Sequence, residues 1–248
     1  MSDPVSNILF LIPVYNEAAN IAPLNREIRL HFPEAEICWI DDGSEDESAS
    51  EIRKAGGRSL HLSCNLGIGG AMQAGYRYAL DQGFSFALRI DGDGQHPPVE
   101  CVHLIERIQQ GDLDLVVGSR FLGDRSYTSS WHRQVGIGVL SLFLSRICRQ
   151  RITDPTSGFQ IANRSVMAYF AHHYPADYPE PEALALLSRQ GYRFGEVPAR
   201  FQARVAGRSS IGNWGTLFYA FKVFVALFVD RFRSVDPRFD RHNLEVRS

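Results

Sequence analysis

Lysine is nearly absent from this chain. Of the 26 lysine and arginine residues, only Lys54 and Lys222 are lysines. The glycine-rich stretch NLGIGG, at residues 65–70, is therefore not the phosphate-binding loop that carries a lysine after its glycines. Arginine suits bidentate contacts with phosphate or carboxylate groups, although genomic base composition can produce the same bias. The arginine bias by itself therefore leaves both explanations open.

Cysteine is also scarce, with four residues in 248 and no C-x-x-C pair. This scatter indicates neither a disulfide framework nor a thiolate zinc site, and it fits a reducing cytoplasm. Residues 1–7, MSDPVSN, contain neither a basic region nor an apolar run, so we expect no secretory signal here.

No long uninterrupted apolar run occurs. The nearest is WGTLFYAFKVFVALFV at residues 214–229, which Lys222 interrupts. As a helix it would cover roughly 24 Å, less than the about 30 Å of a hydrocarbon core. This length favours a helix that lies in the membrane surface or against a partner. The arginines of residues 230–241 would then lie near anionic lipid. The alternative is a helix that packs on its own domain or in a dimer interface.

The charge is divided unevenly along the chain. Residues 1–117 carry 18 acidic and 8 basic side chains, whereas residues 118–248 carry 10 acidic and 18 basic ones. The two halves should therefore meet different partners. With 44% hydrophobic residues the chain can form a sizeable core, and we divide it at residues 1–212 and 213–248.

Short apolar runs alternate with helix-like stretches, which predicts an α/β fold with a mainly parallel sheet covered by helices on both faces. The predicted strands are residues 8–14, 36–40, 59–62, 86–90 and 113–117. Ligands on such sheets bind where the strands end. We therefore expect the polar stretches after these five strands to form one site.

The stretch DGDGQHPP, at residues 91–98, follows the fourth predicted strand. Asp91 and Asp93 supply carboxylates and Gln95 supplies an amide oxygen, which are ligands that Mg²⁺ prefers while substrate phosphates complete its shell. A lone D-x-D is weak evidence, but its place at the end of a core strand strengthens it. His96 is more readily a positioned loop residue than a metal ligand.

Two further loops favour a nucleotide. Asp42, in DDGS, can accept hydrogen bonds from a base or ribose, whereas Ser44 is a candidate helix N-cap. The stretch that starts at Asn65 predicts a helix whose glycines, Gly69 among them, leave backbone N–H groups open to a diphosphate.

Together these loops resemble family 2 glycosyltransferases with the GT-A fold, and most closely the branch of dolichol-phosphate mannose synthase and other polyprenyl-phosphate glycosyltransferases. The resemblance covers roughly residues 7–212. The motifs, in family order, are IPVYNE, DDGS, NLGIGGAMQAG, DGDGQHPP, GSRF, DPTSGF and RVAGRSSIG. It implies a Rossmann-like GT-A domain over residues 1–212, followed by an apolar helix and basic tail over residues 213–248.

The resemblance also implies roles for individual residues. The implied nucleotide contacts are Pro13, Tyr15, Glu17, Asp42, Asn65, Gly69 and Asp91. The implied metal ligands, for Mg²⁺ or Mn²⁺, are Asp91, Asp93 and Gln95. The implied contacts of an acceptor phosphate are Arg120, Arg133, Arg204, Ser209 and Ser210, and the candidate catalytic residues are Asp93, Arg120 and Glu182.

The activity implied is metal-dependent inverting transfer of a sugar from a GDP- or UDP-sugar to a polyprenyl phosphate. The enzyme would lie peripherally at the cytoplasmic face of the cell membrane, on the lipid surface or on an integral membrane partner. It would form a homodimer if the apolar helix pairs with itself. Continuous apolar character in residues 214–232, with few basic residues between, argues against a nucleic-acid partner.

Two alternatives stay open. Glu182 could be a general base for a saccharide hydroxyl in cell-surface polysaccharide assembly, whereas Glu180 could equally cap the helix that begins there. A noncatalytic scaffold that binds sugar nucleotides is a different class, and a complete metal-ligand set argues against it. A nicotinamide-dependent oxidoreductase is disfavoured because the glycines follow the third strand.

Overall fold

A computed structural model describes residues 7–123, 131–202, 223, 225 and 236–241, without the side chains of residues 131–133. The strands are β1 (Ile8–Val14), β2 (Glu36–Asp41), β3 (Arg58–His61), β4 (Phe86–Arg89), β5 (Leu115–Ser119), β6 (Gln160–Asn163) and β7 (Phe194–Pro198). The helices are α1 (Ala18–His31), α2 (Ser48–Ala55), α3 (Gly67–Asp81), α4 (Cys101–Ile108), α5 (Trp131–Cys148), α6 (Arg164–His173) and α7 (Pro179–Arg189), with one 3₁₀ turn at Pro98–Glu100.

The seven strands form one sheet in the order β3-β2-β1-β4-β6-β5-β7. β6 runs antiparallel to both of its neighbours, whereas the other strand pairs of the sheet are parallel. The prediction of a mainly parallel α/β sheet is thus confirmed, and the five predicted strands correspond to β1–β5 within two residues at each end.

Alternation along the strands gives the sheet two apolar faces. In β1, Leu9 and Leu11 join a core built with α3, α5, α6 and α7. Ile8, Phe10 and Ile12 join a second core with α1, α2 and α4 on the opposite face. Because successive side chains of a strand point to opposite faces, a strand buried on both sides must be apolar throughout, and β1 is.

All four cysteines are thiols without a disulfide, as their spacing predicted, and Cys64 alone is exposed. Within the described part of the chain, no helix is both long enough and apolar enough to cross a bilayer. The predicted apolar helix at residues 214–229 and the division at residue 212 fall outside the described residues, apart from Val223 and Val225.

Candidate active site

The carboxyl ends of β1, β2 and β4 lie side by side at one edge of the sheet. From β1 the chain proceeds outward through β2 and β3, and then returns to place β4 on the other side of β1. Such a reversal of direction opens a crevice above the strand ends, where ligands of α/β sheets bind. The loops expected to form one site therefore do meet at this edge.

Hydrogen bonds join the loops after β1 and β2. Asn16 Oδ1 accepts from the Glu45 N–H at 2.8 Å, and Ser44 Oγ accepts from the Asn16 N–H at 3.0 Å. Ser48 Oγ accepts from the Glu17 N–H at 3.0 Å. The N-cap prediction for Ser44 is wrong, because α2 begins at Ser48 and the Ser44 hydroxyl holds the neighbouring loop instead.

Three predicted nucleotide contacts, Pro13, Tyr15 and Glu17, lie at the end of β1 and in the loop that follows it. Pro13 is buried, and its carbonyl oxygen would lie 2.7 Å from a Cβ atom at Gly92, so only glycine lets the loop after β4 approach β1 this closely. Tyr15 is 44% exposed. Glu17 accepts a hydrogen bond from Asn20 Nδ2 at 2.5 Å.

Asp42 is buried, and its Oδ1 accepts from the Leu66 N–H at 2.7 Å. Burial raises the pKa of this carboxyl, against the lowering effect of the backbone N–H groups of Leu66 and Gly67. The bond fixes the loop between β3 and α3, where Asn65 is exposed and its Oδ1 accepts from the Gly67 N–H at 2.8 Å. Asp42 and Asn65 thus stand on adjoining loops of the crevice.

Gly69 packs against the backbone of the segment that follows α6. A Cβ atom here would overlap the backbone of Pro175 and Ala176. Its small size therefore serves the close packing of α3 against the segment after α6, and its contact with a diphosphate stays a prediction.

A buried arginine connects the first carboxylate of D-x-D to α7. Arg89, 3% exposed, donates from Nε to Asp91 Oδ1 and from Nη1 to Glu180 Oε1, each at 2.9 Å. Nη1 also lies 3.2 Å from Tyr174 Oη. An ideal Cβ at Gly158 would lie 2.5 Å from Arg89 Nη2, so the guanidinium occupies the space that a larger residue would need.

His96 holds Asp91 from the other side. Its Nδ1 accepts from the Asp91 N–H at 3.0 Å, which places the imidazole proton on Nε2, 3.8 Å from Asp91 Oδ2. Burial lowers the pKa of His96, against the opposing pull of the two aspartates, so the ring is neutral near pH 7. The ring stacks on Phe159 at 4.9 Å and meets Phe201 edge-on at 4.8 Å.

The Asp91 carboxyl is consequently poised as an anion. Burial has the largest effect and raises its pKa, but the charge and the hydrogen bond of Arg89, together with the other cationic groups nearby, outweigh burial and leave the pKa below its usual range. The side chain remains 31% exposed. Asp91 therefore keeps an accessible, charged surface in spite of its buried partners.

Asp93 and Gln95 complete the predicted ligand set. Asp93 is 8% exposed, and its Oδ1 accepts from the Gln95 N–H at 3.0 Å. No three His, Cys, Asp or Glu side chains of the described residues are grouped closely enough to hold a metal ion. A cation here would depend on the two aspartates, the Gln95 amide and the oxygens of a bound ligand, which is a pattern typical of Mg²⁺.

Arg120, after β5, is paired with a buried acid. It donates from Nε and Nη2 to the two oxygens of Asp154, both at 2.7 Å, and its Nη2 donates to Thr156 Oγ1 at 2.8 Å. The guanidinium carbon lies 5.0 Å from the ring centre of Phe201. Its charge is thus already balanced by Asp154, and contact with an acceptor phosphate stays a prediction.

Glu196 of β7 holds the loop that carries Asp154. Its carboxylate accepts from the Thr153 N–H at 2.8 Å and the Asp154 N–H at 2.8 Å, and from the Thr153 hydroxyl at 2.7 Å. Burial raises the pKa of Glu196, while these hydrogen bonds oppose the shift. The motif DPTSGF is therefore positioned by an acidic residue about 40 positions later in the chain.

The two glutamates of α7 face different surroundings, as their two-residue spacing on a helix requires. Glu180 contacts Arg89 and so adjoins Asp91. Glu182 lines a separate cavity of about 760 Å³ together with His172, His173 and Arg189. The general-base role of Glu182 stays a prediction, and the helix predicted to begin in this segment is confirmed as α7.

Four predicted acceptor contacts cannot be placed. The side chain of Arg133 and the whole of Arg204, Ser209 and Ser210 lie outside the described residues. Their roles remain predictions.

Sequence reasoning missed Arg89 and its contacts with Asp91 and Glu180. The signal was a charged residue inside the apolar strand FALRI, since a buried arginine requires partners. Its partners Asp91 and Glu180 are separated by 89 positions, so the pattern of the strand alone does not identify them.

Comparison with known proteins gives consistent matches. The sequence profile of the family described as glycosyl transferase family 2 matches residues 10–170. A polyprenol monophosphomannose synthase of Mycolicibacterium smegmatis is 29% identical over 66% of this chain and 64% of its own length. An undecaprenyl-phosphate mannosyltransferase of Micrococcus luteus is 28% identical over 83% of this chain and 88% of its own.

Solved structures show the same fold at lower identity. Glucosyl-3-phosphoglycerate synthase from Mycobacterium tuberculosis, in complex with Mn²⁺, UDP and glucosyl-3-phosphoglycerate, has a TM-score of 0.69 at 17% identity, covering 93% of this chain and 81% of its own. A mannosyltransferase from Pyrobaculum calidifontis, in complex with GDP-mannose and Mn²⁺, has a TM-score of 0.64 at 16% identity, covering 99% of this chain and 70% of its own.

Proposed function

This chain belongs to glycosyl transferase family 2 and has the GT-A fold, and on that premise we propose that it transfers a sugar from a nucleotide-sugar to a polyprenyl phosphate. The observation that carries the proposal is the pair Asp91 and Asp93 at the end of β4, beside the loops of β1 and β2. Relatives named for transfer to polyprenol or undecaprenyl phosphate support this acceptor.

The donor site would lie over the ends of β1, β2 and β4. Asp42 and Asn65, on adjoining loops, would accept hydrogen bonds from the base or ribose, and Tyr15 would offer its exposed ring. Residues 1–117, which contain these loops, carry more acidic than basic side chains. A bound cation would therefore be needed to offset the negative charge of the diphosphate.

The donor set fits Mg²⁺ or Mn²⁺. Asp91, Asp93 and Gln95 offer only oxygen atoms, and the exposed third of the Asp91 side chain gives a cation access. When bound, the metal would act as a Lewis acid on the negative charge that builds on the departing diphosphate.

The chain's own residues would orient the two reactants. An oxygen of the acceptor phosphate attacks the anomeric carbon from the side opposite the nucleotide, which inverts the configuration. The bond between that carbon and the β-phosphate oxygen breaks, and the nucleoside diphosphate leaves with the electron pair. Because a phosphate oxygen is anionic near neutral pH, the attack needs no general base, and positioning provides most of the rate.

We propose that the acceptor contacts the basic second half of the chain. Residues 118–248 carry the excess of arginine, which suits a lipid phosphate at an anionic bilayer. The enzyme would bind peripherally at the cytoplasmic face, through the lipid surface, a membrane partner or a second copy of itself. Arg120 would act there only if the acceptor competes with Asp154 for its guanidinium.

A panel of UDP-, GDP- and dTDP-sugars tests the proposal. Release of the nucleoside diphosphate is measured with Mg²⁺ or Mn²⁺, with and without polyprenyl phosphate in detergent micelles. We expect release to require one donor, the metal and the lipid phosphate together. Donor hydrolysis that is indifferent to the lipid would instead point to a saccharide acceptor.

A further inference from the structure

We propose that Glu180 is a positioning residue that keeps Asp91 available to a divalent cation, acting through Arg89. The inference rests on the proposed function, because it concerns the cation that the donor diphosphate would need. It goes beyond that function in assigning a role to a carboxylate that touches neither the reactants nor the metal.

Arg89 bridges the carboxylates of Asp91 and Glu180. Asp91 Oδ1 and Glu180 Oε1 each lie 2.9 Å from a different nitrogen of the Arg89 guanidinium. Arg89 is 3% exposed and the Glu180 side chain 15% exposed, so water screens their interaction only weakly. The guanidinium packs against Gly158, where a Cβ atom would lie 2.5 Å from Nη2.

The balance of charge explains why a second carboxylate is needed. An arginine stays protonated, so a pair made of Asp91 and Arg89 alone would be neutral and would attract a cation poorly. With Glu180 the cluster holds two carboxylates and one guanidinium, and a net negative charge remains beside the accessible oxygen of Asp91. Arg89 then fixes the orientation of Asp91 without cancelling its charge.

A second arginine at the same edge of the sheet is also balanced by an acid, although β6 separates its strand, β5, from β4. Arg120 follows β5 and is balanced by Asp154, which is fully buried. Each of these arginines at the carboxyl edge of the sheet is thus paired with an acid from a distant part of the chain. This pairing limits the positive charge near a cation site while retaining the rigid hydrogen bonds that arginine provides.

A charge role and a purely steric role give opposite orders for two variants. Glu180→Gln keeps the size and the acceptor oxygen but removes the charge. Glu180→Asp keeps the charge but shortens the side chain. We expect the Gln variant to bind Mn²⁺ at least about fivefold more weakly than the natural protein, and the Asp variant to stay within about twofold of it.

Electron paramagnetic resonance measures the affinity of the full chain for Mn²⁺, with and without GDP or UDP. This readout tests the role of Glu180 without requiring turnover. Glu36→Gln is the matched control, because Glu36 also pairs with an arginine, Arg58 at 3.1 Å, but at the start of β2 on the opposite edge of the sheet. It should leave Mn²⁺ binding unchanged. Thermal melting of each variant verifies that it is folded.

The outcomes separate this inference from the proposed function. Equal Mn²⁺ affinity in the Gln variant and the natural protein, or an Asp variant weaker than the Gln variant, overturns the role of Glu180 and leaves the transferase proposal standing. A natural protein that binds no Mn²⁺ with either nucleotide overturns the metal centre itself, and the role of Glu180 with it.

Discussion

The Nε and Nη2 atoms of Arg120 each lie 2.7 Å from one oxygen of the Asp154 carboxylate. Both side chains are buried, and Asp154 also accepts from the Arg120 N–H at 3.0 Å. The pair joins the end of β5 to the loop before β6, so it connects two segments that border the crevice.

Loss of the acid should destabilise the fold, because it leaves a buried guanidinium without a counter-charge. We expect Asp154→Asn to lower the free energy of unfolding by about 3 kcal/mol, measured by urea denaturation. Asp112→Asn, which removes the exposed partner of Arg107, should change it little. A stable Asp154→Asn protein would mean that the surrounding hydroxyl groups suffice to hold Arg120.

The second aspartate of D-x-D tests the metal centre. Asp93→Asn keeps an oxygen that can accept from the Gln95 N–H, but it removes a charge from the cation site. We expect metal-dependent turnover to fall by more than about 100-fold with an unchanged melting temperature. Glu34→Gln, an exposed substitution beyond the end of α1, serves as the control. Unaltered turnover would remove Asp93 from the mechanism.

Glu182 discriminates between acceptor classes. If the acceptor is a lipid phosphate, Glu182→Gln should retain most of the initial rate, since the attacking oxygen already carries charge. If a saccharide hydroxyl is the acceptor and Glu182 is its base, nearly all transfer should disappear. Asp177→Asn, which changes an acid lining the same cavity, is the comparison.

Thiol labelling reports on the loop before α3. Burial raises the pKa of Cys38 to about 12 and that of Cys148 to about 11, and it raises the pKa of Cys101 well above the usual range. Because the thiolate is the reactive form, these three thiols should stay unreactive at pH 8, and only exposed Cys64 should react.

A nucleotide bound beside Asn65 should slow the labelling of Cys64. The rate with a chromogenic disulfide reagent is compared with and without GDP or UDP plus Mn²⁺, and Cys64→Ser should abolish the signal. A rate indifferent to both nucleotides would place the donor elsewhere. Labelling of several thiols at pH 8 would contradict the burial of the other three.

The sequence sufficed for elements whose signal is local. β1 to β5 are apolar runs followed by polar loops, and α3 begins where the glycines of NLGIGG predicted a helix. Their neighbours in the chain contain most of the necessary information. The polar loops could therefore be assigned to one edge of the sheet from the sequence alone.

Long-range pairing lay beyond the same reasoning. β6 has only four residues and derives its place from antiparallel bonds to β4 and β5, which its own sequence does not specify. The pairing of Arg89 with Glu180 is likewise not specified locally, since that contact spans 91 positions. The assignment of Ser44 as a cap failed for a related reason, since its hydroxyl is used by the loop after β1.

The hydrogen bonds from the Thr153 and Asp154 N–H groups to the Glu196 carboxylate limit how this enzyme can be redesigned. A foreign DPTSGF-type loop grafted onto this scaffold would also need a carboxylate on β7 to accept hydrogen bonds from its backbone. The loop and that strand behave as one transplantable module, and chimaeras should be cut so that both come from the same parent.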